Sequence, residues 1–340
     1  MTNHWIDVKN SDCILIMGAN PAENHPISFR YVMQAKDKGA KLICVDPRFT
    51  RSAAVADIYA PLRSGTDIAF LGGMIHYIME NNCCQKSYVF HYTNAPFIVN
   101  DQFGFEDGLF AGFDPFEERY DTSKWQFETD AAGLPKKDPT LKHPRCVYQL
   151  LKNHFARYDL KTVSKITGTA EEGLLAVYRA FADTGAAAKA GTVLYAMGWT
   201  QHTTGVQNIR TMSIIQLLLG NMGLAGGGIN ALRGHNNVQG STDHGLLFGS
   251  WPGYLNVPRE SDQNLAQYNR NNTPAGSDPR STNWSRNFSR NSLSIHISIF
   301  VETATKANQY GYKWLPKCDD KRSYSCWKLF YAMSQGVIKG

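Results

Sequence analysis

The sequence has no long apolar segment and no concentrated run of charge. Charged residues make up 19% of the 340 residues. No apolar run approaches the ~18 residues that a membrane-spanning helix needs. Lysine and arginine outnumber aspartate and glutamate by 35 to 29, but they form no basic cluster of the kind that binds nucleic acid or a membrane surface. The opening residues lack the basic and apolar regions of a secretory signal peptide, so we expect none here.

The cysteines are spaced for neither metal binding nor a disulfide scaffold. They are Cys13, Cys44, Cys83, Cys84, Cys146, Cys318 and Cys326. No CxxC pair occurs, so the sequence predicts neither a zinc ribbon nor an iron–sulfur cluster within this chain. Cys13 and Cys44 lie in apolar, strand-like runs, and we interpret them as buried free thiols. We assign no metal ligand in the chain.

The N-terminal segment has the pattern of a βαβ unit. Cys13–Met17 and Lys41–Val45 are short apolar runs typical of buried parallel strands. Between them, 29–38 has the apolar spacing of a helix, and Gly39 marks its end. Further strands are predicted at 58–62 and 192–197, and further helices at 68–81, 147–158, 170–184 and 206–219. The chain is therefore predicted to be an α/β protein, with a Rossmann-like three-layer domain and a mostly parallel sheet.

Polar residues follow two of the predicted strands. The segment 18–23 comes directly after the first strand, where βαβ units bind phosphate. Only Gly18 matches the G-x-G-x-x-G fingerprint, and Asn20 replaces its second glycine, so the sequence does not predict a standard NAD site. Asp46 ends the second strand, where a carboxylate commonly accepts hydrogen bonds from ribose or a base, and Arg48 can pair with phosphate. The alternative for 46–48 is a plain strand-ending turn.

Two later segments also allow either a structural or a ligand-binding interpretation. Ser64–Asp67 precedes a predicted helix, so Thr66 or Asp67 can cap that helix, contact a nucleotide, or do both. The glycine-rich segment 220–245 is either a linker or a ligand-lining loop, and its interleaved polar residues favour the loop. Arg233 in this segment can form an anion site. His235 and His244 are candidates for acid–base, metal-binding or capping roles.

Taken together, six motifs resemble the large catalytic subunits of formate dehydrogenases, within the molybdopterin oxidoreductase family. They are Gly18–Pro26, Asp46–Arg48, Ser64–Asp67, Gly198–His202, Gly220–Gly223 and Ala231–Gly240. The respiratory, membrane-associated type is the most similar, because its subunits carry an insertion like 100–145. The resemblance covers about 1–270 and resumes at 305–340.

The resemblance implies a molybdenum or tungsten atom held by two molybdopterin guanine dinucleotides. Positions matching those that hold one dinucleotide are Gly18, Asn20, Glu23, Asp46, Arg48, Gly65 and Asp67. Further cofactor-lining positions are Met197, Gly198, Gln201, Gly220, Asn221 and Gly223. Arg233 matches the arginine that orients formate, with His235 beside it as a second catalytic candidate. The implied reaction is formate oxidation to CO2, in which the protein orients the substrate and the cofactor does the redox chemistry.

The resemblance also implies partners and a location. The partners are formate, an iron–sulfur subunit and a cytochrome b subunit of a membrane complex, and the location is the periplasm, in the electron transport of anaerobic respiration. Two alternatives stay open. One is another enzyme of the same family, such as a nitrate reductase, although the segment that begins at Arg233 favours formate. The other is a non-catalytic nucleotide-binding or assembly module.

Some family features are expected outside this sequence. The metal-binding selenocysteine or cysteine and the cysteines of a [4Fe–4S] cluster are expected before Met1. We therefore expect an internal fragment of a longer selenoprotein, inactive alone, with a selenocysteine codon read as a stop as one hypothetical origin. The predicted domains are 1–235, with the insertion 100–145, and an incomplete second α/β domain over 236–340. The family pattern is lost over 275–302, for which a local frameshift is a hypothesis.

Overall fold

The computed structural model describes residues 1–106, 108–243, 249–251 and 255–273. A first compact unit spans Met1–Leu232, and a second begins at Arg233. The predictions for His244, for 275–302 and for 305–340 lie outside the described residues.

The strands are β1 (Cys13–Met17), β2 (Lys41–Val45), β3 (Ile58–Ala60), β4 (Phe105–Glu106), β5 (Leu109–Phe110), β6 (Phe113–Asp114), β7 (Arg119–Tyr120), β8 (Gly191–Tyr195), β9 (Ile229–Ala231), β10 (Ser250–Trp251) and β11 (Leu255–Asn256). The α-helices are α1 (Pro21–Asn24), α2 (Pro26–Asp37), α3 (Arg51–Ala54), α4 (Asp67–Glu80), α5 (Lys86–Tyr92), α6 (Val147–Phe155), α7 (Leu160–Thr167), α8 (Glu171–Ala182), α9 (Met197–Thr200), α10 (Gly205–Leu219), α11 (Val238–Asp243) and α12 (Leu265–Asn272). Short 3-10 helices lie at Trp5–Asn10, Thr122–Lys124 and Asp183–Gly185.

A parallel five-stranded sheet forms the centre of the first unit, in the order β3-β2-β1-β8-β9. Cys13 at the start of β1 pairs with Lys41 of β2 on one side and with Gly191 of β8 on the other. Every residue of β1 is buried, as expected for a central strand that is covered on both faces. The predicted mostly parallel α/β sheet is confirmed.

Helices cover both faces of this sheet. Side chains alternate between the faces along a strand, so Leu15 packs in one core with Phe70 of α4. The next residue, Ile16, packs in the opposite core with Val32 of α2. Helices α8 and α10 contribute to the first core, and α3 contributes to the second. The predicted three-layer, Rossmann-like arrangement is therefore confirmed.

The glycine-rich segment 220–245 is not a single loop. It contains the edge strand β9, which pairs in parallel with β8, and the helix α11. Its triple glycine serves backbone packing. Gly226 has φ of +77°, and a Cβ atom there would lie 2.4 Å from the carbonyl carbon of Asn10. A Cβ atom on Gly227 would lie 2.0 Å from the carbonyl oxygen of Asn221. These glycines allow close contact between chain segments, so the segment is not one continuous loop, and its ligand-lining role stays a prediction.

The predicted insertion 100–145 contains two short antiparallel hairpins, β4–β5 and β6–β7. The guanidinium of Arg145 donates hydrogen bonds to the backbone carbonyls of Val99, Asn100 and Phe103, which ties the two ends of the insertion together. A cavity of about 730 Å³ lies between the insertion and α6, and much of its lining is aromatic, with Trp125 among the residues.

In the second unit, β10 and β11 pair antiparallel, and α12 begins at an Asn264 cap that accepts from the Gln267 amide. The buried Tyr268 donates from its hydroxyl to the carbonyl of Asn256. Across the described residues of both units, no helix is long and apolar enough to cross a membrane.

Candidate functional site

The candidate site lies at the carboxyl edge of the parallel sheet. All strands of such a sheet point the same way, so the segments after β1, β2, β3 and β8 leave from this edge. The helix that follows β1 packs on one face of the sheet, whereas the helix that follows β8 packs on the other. The two chain segments therefore separate between β1 and β8, which creates the crevice where open α/β sheets bind ligands.

Gly18 and Gly198 bring the two sides of this crevice into backbone contact. The carbonyl of Gly18 accepts from the amides of Ala196 at 3.1 Å and Gly198 at 3.0 Å. Gly18 has φ of +73°, and a Cβ atom there would lie 2.7 Å from Cδ1 of Trp199. A Cβ atom on Gly198 would lie 2.7 Å from the carbonyl oxygen of Gly18. Glycine at both positions is therefore needed for the loops to meet.

The side chain of Asn20 has a fixed orientation. Its Oδ1 accepts from the hydroxyl of Ser52 at 2.8 Å and from the amide of Ser52 at 3.3 Å. The Ser52 hydroxyl oxygen in turn accepts from the amide of Ala22 at 3.1 Å. Because both donors of Ser52 engage Oδ1, the Nδ2 group of Asn20 is the part of this amide that can donate to a ligand. Ser52 is fully buried on α3, and no motif in the sequence indicates it.

Asp46 and Arg48 form the strand-ending turn that the sequence left as an alternative. The Oδ1 atom of Asp46 accepts from the amide of Arg48 at 2.8 Å. Burial raises the pKa of Asp46, while the amide and the charge of Arg48 act to lower it. The carboxylate keeps acceptor capacity beyond this bond, and the Arg48 side chain is exposed. The turn is therefore compatible with a nucleotide contact.

Asp67 is the first residue of α4 and is 7% exposed. Its Oδ1 accepts from the indole N–H of Trp199 at 3.0 Å. Of the two residues predicted to cap this helix, Thr66 makes no side-chain cap, and its hydroxyl donates to the carbonyl of Arg63. Gly65 has φ of +82°, and no atom lies within 4 Å of the position that its Cβ would take. This side of the loop is therefore open to a ligand.

The other predicted residues of this edge are exposed. Glu23 pairs with Arg51 across 3.5 Å, and Met197 and Gln201 lie at the start and the C-cap of α9.

Gly220, Asn221 and Gly223 are not brought to the carboxyl edge. Asn221 accepts from the amide of Gly191, the first residue of β8, and so lies at the amino edge. Its Nδ2 donates to Thr184 and Gln216, which leaves the buried amide fully occupied inside the protein. The structure gives Asn221 a structural role, and a cofactor contact for these three residues stays a prediction from the resemblance.

The two predicted catalytic residues belong to the second unit. Arg233 and His235 are exposed and follow β9 closely along the chain. The carbonyl of His235 accepts from the amide of Val238, where α11 begins. Among the described residues, no cluster of histidine, cysteine, aspartate or glutamate is arranged to hold a metal ion.

The side chain of Asn208 is a further buried polar group that no sequence motif indicates. Asn208 is buried on α10, and its Nδ2 has no hydrogen-bond partner within the part of the chain that the structure describes. A buried donor without a partner is costly, so a group from outside these residues is expected to satisfy it.

The chain belongs to the molybdopterin oxidoreductase family, which matches residues 1–308. Over its whole length it is 59% identical to formate dehydrogenase subunit alpha of Megalodesulfovibrio gigas. It is 53% identical to formate dehydrogenase 2 subunit alpha (cytochrome c-553) of Nitratidesulfovibrio vulgaris and 51% identical to the nitrate-inducible formate dehydrogenase major subunit of Escherichia coli. The resemblance to formate dehydrogenase catalytic subunits is thus confirmed.

The chain spans about a third of the length of these relatives, 33% for the first and third and 34% for the second. Among solved structures, acetylene hydratase from Pelobacter acetylenicus is similar with a TM-score of 0.42 and 23% identity, over 64% of this chain and 24% of that one.

Proposed function

We propose that this chain is part of the catalytic subunit of a formate dehydrogenase, which oxidises formate to CO2. In this proposal, the carboxyl edge of its sheet holds one of two molybdopterin guanine dinucleotides that carry molybdenum or tungsten. The observation that supports it most is that the loops after β1, β2, β3 and β8 contact one another along the carboxyl edge of the sheet. Similarity to formate dehydrogenase subunits over the whole chain supports the choice of substrate.

The chemistry of these loops fits a dinucleotide. The carboxylates of Asp46 and Asp67 are acceptors for ribose hydroxyls and for the N–H groups of guanine. The Nδ2 group of Asn20 and the guanidinium of Arg48 are donors for phosphate oxygens. The open side of Gly65 leaves room for a ligand to approach the backbone.

Formate oxidation releases CO2, one proton and two electrons, and the bound metal centre supplies the acceptor for those electrons. In our proposal, the Arg233 guanidinium pairs with the formate carboxylate and orients its C–H bond. His235, two residues away, holds or passes on the released proton. These two roles rest on the resemblance of the 231–240 segment.

The relatives are about three times as long as this chain, so we assign turnover to a longer protein and expect none from this chain alone. The proposed partners are an iron–sulfur subunit and a cytochrome b subunit, and the proposed location is the periplasm. Similarity to the nitrate-inducible major subunit of Escherichia coli supports a respiratory role.

Calorimetric titration of the 340-residue chain with GDP and with ADP tests the proposal. We expect GDP to bind more tightly than ADP, and Asp46→Asn to weaken GDP binding. Asp37→Asn is the matched control, because this exposed carboxylate at the end of α2 lies outside the site. Equal binding of both nucleotides, or none, contradicts the guanine dinucleotide site. Formate-dependent dye reduction by the chain alone contradicts the assignment of turnover to a longer protein.

A further inference from the structure

Trp199 and Asp67 form a buried pair that joins two of the converging loops. Trp199 lies on α9, after β8, and its side chain is fully buried. Its indole N–H is 3.0 Å from Oδ1 of Asp67, which is 132 positions away in the sequence. An indole nitrogen only donates, so the direction of this bond is unambiguous.

The ring of Trp199 is held by its surroundings. Its Cδ1 faces Gly18 so closely that a single added methyl group would lie 2.7 Å away. The ring of Tyr195 lies on another side, with centroids 5.2 Å apart. The Trp199 amide donates to the carbonyl of Ala196 at 3.2 Å. A ring confined in this way aims its N–H in one direction, and this direction fixes the carboxylate that receives it.

We propose that Trp199 is a positioning residue, whose indole N–H fixes the orientation of the Asp67 carboxylate so that its remaining acceptor sites receive N–H groups of a bound guanine nucleotide. This inference rests on the proposed function. Guanine presents two adjacent N–H donors to a carboxylate, whereas adenine does not. The selectivity of the site for guanine therefore depends on Trp199 through its hydrogen bond to Asp67.

The charges around Asp67 give this role a measurable signature. Burial raises the pKa of Asp67, and the nearby carboxylate of Asp46, after β2, raises it further. The Trp199 hydrogen bond and the positive form of His202 act to lower it. Removing the indole N–H therefore raises the pKa of Asp67. Ligand binding that needs the ionised form is lost as pH falls through this pKa, so the loss occurs at a higher pH in a variant without the N–H.

Trp199→Phe removes the N–H and keeps an aromatic ring in the pocket. In the full chain without nucleotide, we expect the Asp67 carboxyl resonance in ¹³C NMR to titrate at higher pH in this variant. We also expect GDP affinity at neutral pH to fall about tenfold, near the lower end of what a hydrogen bond to a charged group contributes, with ADP affinity little changed. In an Asp67→Asn background, Trp199→Phe is expected to add little further loss.

Trp125→Phe is the matched control. The indole of Trp125 donates at 2.8 Å to the carbonyl of Ala111 in the insertion, so the same change is made away from Asp67. We expect neither the Asp67 titration nor GDP affinity to change in this control. In the unsubstituted chain, the Trp199 indole N–H resonance is expected to shift with the same pH midpoint as the Asp67 carboxyl group, which tests the pair without any substitution.

An Asp67 titration that is the same in Trp199→Phe and in the parent, with GDP binding intact, overturns the role of Trp199 and leaves the proposed function standing. A Trp199 indole N–H resonance that does not shift with the titration of Asp67 also overturns the role of Trp199 and leaves the proposed function standing. No GDP binding by the parent chain contradicts the proposed function and the ligand role of the pair together.

Discussion

Replacing Gly18 by alanine tests the close approach of the loops after β1 and β8. With φ of +73°, an alanine at this position adopts the left-handed conformation, which costs roughly 1–2 kcal/mol. Its Cβ atom would also lie 2.7 Å from Cδ1 and 2.8 Å from the backbone nitrogen of Trp199. Overpacking of this kind costs typically ~1–3 kcal/mol. We therefore expect the free energy of unfolding to fall by about 2–5 kcal/mol, a large share of the ~5–15 kcal/mol of a typical domain.

Gly65→Ala is the matched control for Gly18→Ala. Gly65 has a similar φ of +82°, but its Cβ position has no neighbour within 4 Å. Only the backbone penalty of about 1–2 kcal/mol is expected there. Urea unfolding of both variants, followed by circular dichroism, isolates the steric cost as the difference between them. Equal losses in the two variants would refute the packing argument at Gly18.

Three further predictions follow from buried polar and thiol groups. Ser52→Ala removes the shorter of the two hydrogen bonds to Oδ1 of Asn20 and leaves only the backbone amide bond, so calorimetry should show weaker GDP binding, and Ser52→Thr should retain it; equal affinity in all three chains contradicts the fixed amide. Asn221→Ala breaks buried hydrogen bonds and should lower the free energy of unfolding by about 1–3 kcal/mol, yet leave GDP affinity unchanged because Asn221 lies at the opposite edge. Burial raises the pKa of Cys13 and Cys44 to about 12, so mass spectrometry should find both unalkylated by iodoacetamide in the folded chain near pH ~8, and alkylated only after unfolding.

Much of the central sheet was predictable because its strands are continuous apolar runs. Cys13–Met17 and Lys41–Val45 were predicted with the bounds that the structure has, since a strand buried on both faces needs no alternation to be recognised. The strand Ile229–Ala231 was missed because it has three residues and follows a triple glycine. The helix Leu160–Thr167 was also missed, although Asp159 caps it and Gly168 ends it in the left-handed conformation. Both signals were present in the sequence.

The candidate site was predictable in its loops but not in its supporting residues. Strand ends reveal where Asn20 and Asp46 lie, because parallel strands share one carboxyl edge. Ser52 and Trp199 act through contacts that only the fold creates, 32 positions from Asn20 and 132 from Asp67. The position of Asn221 could not be predicted from its motif, because the preceding helix α10 returns the chain to the amino edge of the sheet.

In our proposal, a guanine nucleotide binds at the carboxyl edge of this sheet. Chemical-shift mapping by NMR of the 340-residue chain, titrated with GDP, would locate this binding. We predict the largest changes in the loops after β1, β2, β3 and β8, with the Trp199 indole among them and the amide of Gly191 at the amino edge unaffected. No shifts, or shifts centred on Gly191 and Asn221, would contradict the account.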